Sequence, residues 1–477
     1  MKKSLTILLP ILSLLAACAT TVPPAANPQP VIQTVVVNQT VQVQVTAAPA
    51  PGGTEEPASA DHPVDLRLGV TLTAQEMQFV SPAIDALQAK HPEWRITLEQ
   101  TPQTGPNIVD KLSSEIAAGN LPDVQEVPGL FAPPWIQRGA FLKLDDFIKA
   151  SNYDLSDYYP GTLDEFTWKG EYYGIPFLAS PELMYYNKDM FDKAGLPYPT
   201  DDWTWDDLRA MAKKLTLDKN GHNADDPAFD PNNIVQWGFN NNPGALGAWA
   251  QFFIEPFGGN FCANPECSRL NMTSDANLKA LQWWADFIQK DHAALWDPYG
   301  GAQTGVPGQD PFISGKAAIG NNNFSSIGTL ATSANFKWDI AEPPKGPTGK
   351  RSSVLSDNGW VIAVNSKHPQ EAWKLIQELS STQFVQDVWA KNGLSVPSRR
   401  SAAQVVLQLT PPPTNLKAIL AAMEYGKTFV PDGPGANEIY GKIIGITTAA
   451  MKGDRSVKDA YTEAEKDANE ILSKAQP

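Results

Sequence analysis

From Val64 to Pro128 the chain alternates short apolar runs with amphipathic ones, and few architectures accept that pattern. VDLRLGVTL reads as a strand, SPAIDALQAKHP as a helix stopping before Pro92, and WRITLEQTP as a second strand. IVDKLSSEIAAGN follows as a helix closed by Gly119 and Asn120, and LPDVQEVPG as a third strand. Strands alternating with helices over such short connections predict a mostly parallel α/β sheet covered on both faces. WIQRGAFLKLDDFI adds another helix and turn to the same unit. A chain of 477 residues is too long for one core, so more than one such unit is expected. The net charge of −15 leaves no basic face to neutralise phosphates and argues against a nucleic-acid partner.

A second informative stretch runs from Lys169 to Leu215. Gly, Pro, aromatic and aliphatic residues mix between Glu171 and Tyr186, predicting a turn and then extended chain. Asn187 is placed to cap a helical turn ending at Gly195. Thr204 is placed to cap the next helix, with Asp207 three positions on as a shortened capping box. Leu208, Met211, Ala212 and Leu215 then share one helix face, leaving Asp206, Arg209 and Lys213 in water.

The residues Gly170-x-Tyr172-Tyr173-Gly174-Ile175-Pro176, Tyr185-Tyr186-Asn187-Lys188-Asp189-x-Phe191-x-x-Ala194-Gly195-Leu196 and Thr204-Trp205-x-x-Leu208 closely resemble the extracellular solute-binding proteins of ABC importers. The nearest likeness is to their sugar-binding, maltodextrin-binding-protein-like members, and it extends over about residues 65 to 475. The resemblance implies a two-lobed, periplasmic-binding-protein-like α/β fold of the class II type, each lobe a mostly parallel sheet flanked by helices, with a hinge between. On that template, residues 64–179 plus 357–425 form lobe 1 and residues 180–356 plus 426–477 form lobe 2. FISGKAAIGNNNF becomes a helix, turn and strand ending at the cleft, DNGWVIAV the return to lobe 1, and the run from Ala245 to Pro256 a long helix. It further implies a monomer without cofactor that carries a neutral polar ligand, a mono- or oligosaccharide, to ABC permease transmembrane subunits. ATP hydrolysis then belongs to a separate subunit.

A sugar site needs flat aromatic faces and a few polar groups for hydroxyls. The resemblance puts Ser180 where the family offers an acidic ligand contact, Asn323 where it offers an aromatic platform, and Tyr440 at an aromatic stacking position. Ser in place of an acid weakens the match to a maltodextrin ligand. Phe324 and Trp249 are candidates with core packing as the alternative, and Trp360 is a candidate at a lobe boundary. Thr71 and Thr73 after the first strand and Pro128 after the third are placed by topology alone. Trp203 and Trp205 are expected to be structural.

The N-terminus has a positive start, Met1-Lys2-Lys3, and an apolar run from Leu5 to Leu15 too short to span a bilayer. Leu15-Ala16-Ala17-Cys18 then resembles a bacterial lipobox. This implies a signal peptide over 1–17, lipidation at Cys18 and an anchor on the outer face of the cell membrane, with a plain signal peptide as the alternative. Residues 18–63, rich in Pro, Ala, Thr, Val and Gln, are expected to be a disordered lipid-anchored linker, although VIQTVVVNQTVQVQVT could form a transient strand. In an oxidising compartment Cys262 and Cys267 are expected to bridge a local loop. A zinc half-site, the rival, would need a second ligand pair.

Chemistry leaves little trace in the chain. No G-x-S-x-G, H-E-x-x-H or G-x-G-x-x-G motif is present, and Gly346 to Ser352 lacks the glycine spacing of a phosphate loop. The run from Asp218 to Asp226 resembles a calcium loop but fails the EF-hand template at its sixth and twelfth positions, Asn223 and Phe229, so a solvated turn is expected and no metal. The competing functions are a secreted glycoside hydrolase, which needs two carboxylates across the scissile bond, and a surface carbohydrate sensor or adhesin.

Overall fold

The computed structural model describes residues 59–477 apart from 102–106, 242–251, 265–266, 297–309, 411, 428–434 and 476–477. These residues all belong to the unit Val45–Pro477. The expected signal peptide, Cys18, nearly all of the expected linker and Trp249 lie outside them, as does most of the expected helix from Ala245 to Pro256.

The N-terminal alternation folds as its pattern requires. Strand β1 (Val64–Val70) pairs in parallel with β2 (Trp94–Gln100) and with β3 (Val124–Pro128). Helix α1 (Ala74–Lys90) and helix α2 (Asn107–Ala118) make the crossovers. Gly119 ends α2 at φ +62°, a left-handed value that favours glycine.

The centre of the molecule is the 14-residue strand β4 (Gly174–Asn187). Its first half lies in one sheet and its second half in another. Strands β5 (Ile234–Asn241), β6 (Ala294–Trp296), β7 (Ala317–Asn323) and β8 (Trp338–Ala341) make the second sheet, in which β7 and β8 run antiparallel to β4 from Glu182 onward. Strand β9 (Leu355–Ile362) runs antiparallel to both β3 and the first half of β4, and β10 (Val396–Pro397) adds two residues there. The order is therefore β2-β1-β3-β9-β4-β7-β5, parallel within each outer part and antiparallel around β4. The antiparallel centre follows from a chain that crosses and returns through the same place.

Each sheet has its own core. Leu66, Leu68, Ile84, Trp94, Phe177, Trp360 and Trp373 pack in the first half. Trp205, Phe239, Phe253, Trp284, Ile443 and Tyr461 pack in the second. The latter draw on α3 (Trp205–Leu215), α4 (Asp275–Gln289) and, after α5 (Pro369–Leu379) in the first half, on α6 (Ala436–Lys452) and α7 (Val457–Ala475). A third cluster sits on β4 itself. There Ala403, Val406, Ile419 and Met423, expected in lobe 1, meet Phe312, Trp338 and Tyr185. The apolar faces of residues 400–425 thus cover the shared strand and not one sheet alone.

Local signals were obeyed where neighbouring residues decide. The Asn187 side chain accepts from the Met190 amide at 3.1 Å, and Thr204 and Asp207 form the reciprocal capping box. Residues 311–316 differ from expectation, because no helix forms. The Asp310 carboxylate accepts from the Phe312 and Ile313 amides at 2.8 and 3.0 Å, closing a turn instead. Among the described residues, no helix is long and apolar enough to cross a membrane.

Candidate functional site

The midpoint of β4 is where polar groups collect inside an apolar body. Ser180 stands opposite Ser356, and Ala179 opposite Asp357. Ser180 is half-buried, and its Oγ, shielded from water, makes no hydrogen bond.

On the first side, Glu126 rises from β3 into the core. Its Oε2 accepts from the Thr71 amide at 2.7 Å and its Oε1 from Asn358 Nδ2 at 2.6 Å. Burial pushes this carboxyl up to about 7, against the lowering effect of those donors. Asn358 also faces Pro128 across the ladder, so Thr71, Pro128, Glu126 and Asn358 form one connected group.

On the second side, Glu182 is pushed up to about 8 by burial, with the side-chain hydrogen bond from Asn321 opposing. Asp310, also raised by burial, accepts from Asn240 Nδ2 at 2.9 Å. Asn323 lies half-buried opposite Glu182; its carbonyl accepts from the Tyr185 hydroxyl at 2.8 Å and its Oδ1 from Ser325 Oγ at 2.6 Å.

A third group closes the seam between them. Asp357 and Glu165 are buried together beside Gly129, where a side-chain carbon would lie 2.2 Å from Asp357 Oδ1 and 1.8 Å from Glu165 Oε2. Only glycine fits there. Tyr440, on α6, is buried, and burial and the charge of Glu165 raise its phenol well above the ordinary value.

The remaining sequence candidates fall outside this gathering. Phe324 is fully buried in the cluster on β4, so its ring is core. Trp360 is buried with its ring stacked on Phe177 at 4.4 Å, a face already covered. Thr73 is exposed, its hydroxyl committed to capping α1 with Glu76. Trp203 and Trp205 are core, as expected. The Asp218 run is a closed turn. Burial raises the Asp218 carboxyl, but amide donors from Asp230, His222 and Asn220 outweigh it and hold the group down at about 2. Those bonds, at 2.8 to 3.0 Å, occupy the oxygens that a cation would use. Among the described residues no group of three or more acidic, His or Cys side chains is arranged to hold a metal ion.

Sequence reasoning missed the buried acids Glu126, Glu165, Glu182, Asp310 and Asp357. One of them had left a trace. Glu126, with Gln125, interrupts an otherwise apolar strand expected to be buried on both faces, and a buried carboxyl calls for a reason.

Comparison with known proteins fits this geometry. Residues 82–420 match the family described as bacterial extracellular solute-binding proteins. A binding protein of Brucella abortus is 24% identical over 392 residues, which is 80% of this chain and 87% of that protein. The lactose-binding protein of Rhizobium radiobacter is 26% identical over 325 residues, 65% of this chain and 69% of its own. In fold, the chain is similar to an ABC substrate-binding protein of Listeria monocytogenes solved in complex with cycloalternan. The TM-score is 0.72 at 21% identity, covering 86% of this chain and 99% of that one. With more than half of its length matched and a bridging strand shared by two α/β halves, the chain belongs to the bacterial extracellular solute-binding protein family.

Proposed function

We propose that this protein is the extracytoplasmic sugar-capturing subunit of an ABC importer, closing two lobes on a mono- or oligosaccharide and passing it unchanged to a membrane permease. The observation that carries the reading is the polar cluster at the centre of β4, where both halves contribute to one seam. Carboxyl, amide and hydroxyl groups held in place by packing suit ligand hydroxyls, and Ser180 Oγ is a donor and acceptor not yet engaged. Lactose and cycloalternan, the ligands named for two similar proteins, support the sugar class. The ligand-contacting set we propose is Ser180, Asn323, Tyr440, Thr71 and Pro128, extended by Glu126 and Asp357.

Binding without catalysis is the better reading of the acids. Glu165 and Asp357 are buried and crowded together, Glu165 Oε2 and Asp357 Oδ1 lying 1.8 and 2.2 Å from one point beside Gly129, whereas a retaining glycosidase separates its pair by about 5–5.5 Å to admit the sugar. We further propose the lobe boundaries given above, with residues 400–425 seated on the hinge strand, monomeric action, and anchoring through a lipid at Cys18. The bridge between Cys262 and Cys267, whose Cα atoms lie 4.7 Å apart, belongs to the same export route.

A thermal-melting screen against mono- and oligosaccharides tests the function. A sugar at about 100 times its Kd should add about 2.7 kcal/mol to stability and raise Tm visibly. A screen in which no sugar moves Tm while a peptide or polyamine does would remove the carbohydrate assignment.

A further inference from the structure

The second half carries a cavity that shares no residue with the β4 seam. It has a volume of about 390 Å³ and lies between β5, β6 and the C-terminal ends of α4 and α6. Trp237, half-buried on β5, and Trp296, 3% exposed on β6, supply flat indole walls, and Ile288 and Met451 supply aliphatic ones. That lining selects a ligand with an apolar, planar body.

The polar groups along the same wall are either engaged already or basic. Gln289 Nε2 donates to the Ala450 and Met451 carbonyls at 2.8 and 3.1 Å, so the end of α6 is satisfied and not left to attract a cation. Lys452, exposed in the last turn of α6, and His292, half-buried at φ +51° in the turn from α4 to β6, have no hydrogen-bond or ion-pair partner among the described residues. The acids close to them in sequence are taken, Asp286 by Lys290 at 3.0 Å and Asp291 by Arg209. Among the described residues no carboxylate lines the cavity. In a chain of net charge −15, an unpaired ammonium and an imidazole beside an apolar wall point to an anion.

We propose that this cavity is a second ligand site, which takes a planar aromatic carboxylate: its ring packs on the indoles of Trp237 and Trp296, and its carboxylate accepts from Lys452 and His292. The two ends of such a ligand match the two kinds of wall. Small-molecule sites span about 300–1,000 Å³, and this cavity falls at the lower end of that range, enough for an acid of one or two fused rings. The site adds a second solute to the protein and does not depend on what the β4 seam captures.

Isothermal titration of the protein with naphthoate, and with the uncharged naphthylmethanol of nearly the same shape, tests the site. One naphthoate per chain is expected, with naphthylmethanol weaker by about tenfold or more because it offers no charge to the ammonium. Lys452→Met, at an exposed position where folding does not need the ammonium, is expected to weaken naphthoate by a similar factor, and Lys452→Arg to retain it. Trp237→Leu is expected to weaken it through loss of the flat wall. No heat from naphthoate up to about 1 mM, equal affinity for naphthylmethanol, or naphthoate affinity unchanged in either Lys452→Met or Trp237→Leu would overturn the second site. Failure of every sugar to bind would leave these outcomes readable.

Discussion

Glu126 shows what a single residue does to the pH behaviour of the whole. Its carboxyl is raised from an ordinary 4.5 to about 7 in the folded protein, so folding holds a proton that the unfolded chain gives up. Stability from this group is intact below about pH 4.5 and falls as pH rises through about 7, then levels. The loss is of the order of 3 kcal/mol, at about 1.4 kcal/mol for each tenfold difference in proton affinity between the folded and unfolded chain. Glu126→Gln should flatten the fall of Tm between pH 5 and pH 8, measured by calorimetry; an unchanged slope would mean that the carboxyl is solvated. Asp218 behaves in the opposite sense: it is held down at about 2, so its contribution is present above pH 3.8 and is lost as pH falls toward 2. Glu126 could be suspected in the sequence because it interrupts an apolar strand. Asp357 could not, since its burial depends on Glu165 and Gly129, which are distant in the chain and meet only after β3, β4 and β9 have paired.

At the scale of elements, short-range chemistry explains what was legible. The caps at Asn187 and Thr204 form as the residue types demand, because a cap needs only its own first turn. Thr204→Ala should cost about 1 kcal/mol in chemical denaturation. The loop between Cys262 and Cys267 is short, so the proposed bridge would contribute about 2 kcal/mol through chain entropy, and Cys267→Ser should lower stability by that amount. Mass analysis of the alkylated, unreduced protein checks whether the bridge is present at all. The turn at Asp310 was not legible as such: the resemblance implies a helix over FISGK, and the preceding carboxylate captures two amides and closes a turn instead. Trp360 shows the same limit, because its partner Phe177 is supplied by another strand.

For the whole molecule, the alternation from Val64 to Pro128 pointed to a parallel α/β sheet, and the resemblance carried by the Tyr185–Leu196 string implied two lobes with a crossing between them. What they could not specify is the chemistry of the seam, since it is assembled from β3, β4, β7, β9 and α6. The central claim is that this seam captures a sugar and returns it intact. Isothermal titration with the sugar that raises Tm most, followed by chromatography of the recovered ligand, tests that claim most directly. The account predicts one site per chain, recovery of the unaltered sugar, and loss of the binding heat in Ser180→Trp while the far-UV circular dichroism stays unchanged. Absence of heat with every sugar, or recovery of a shortened product, would contradict it.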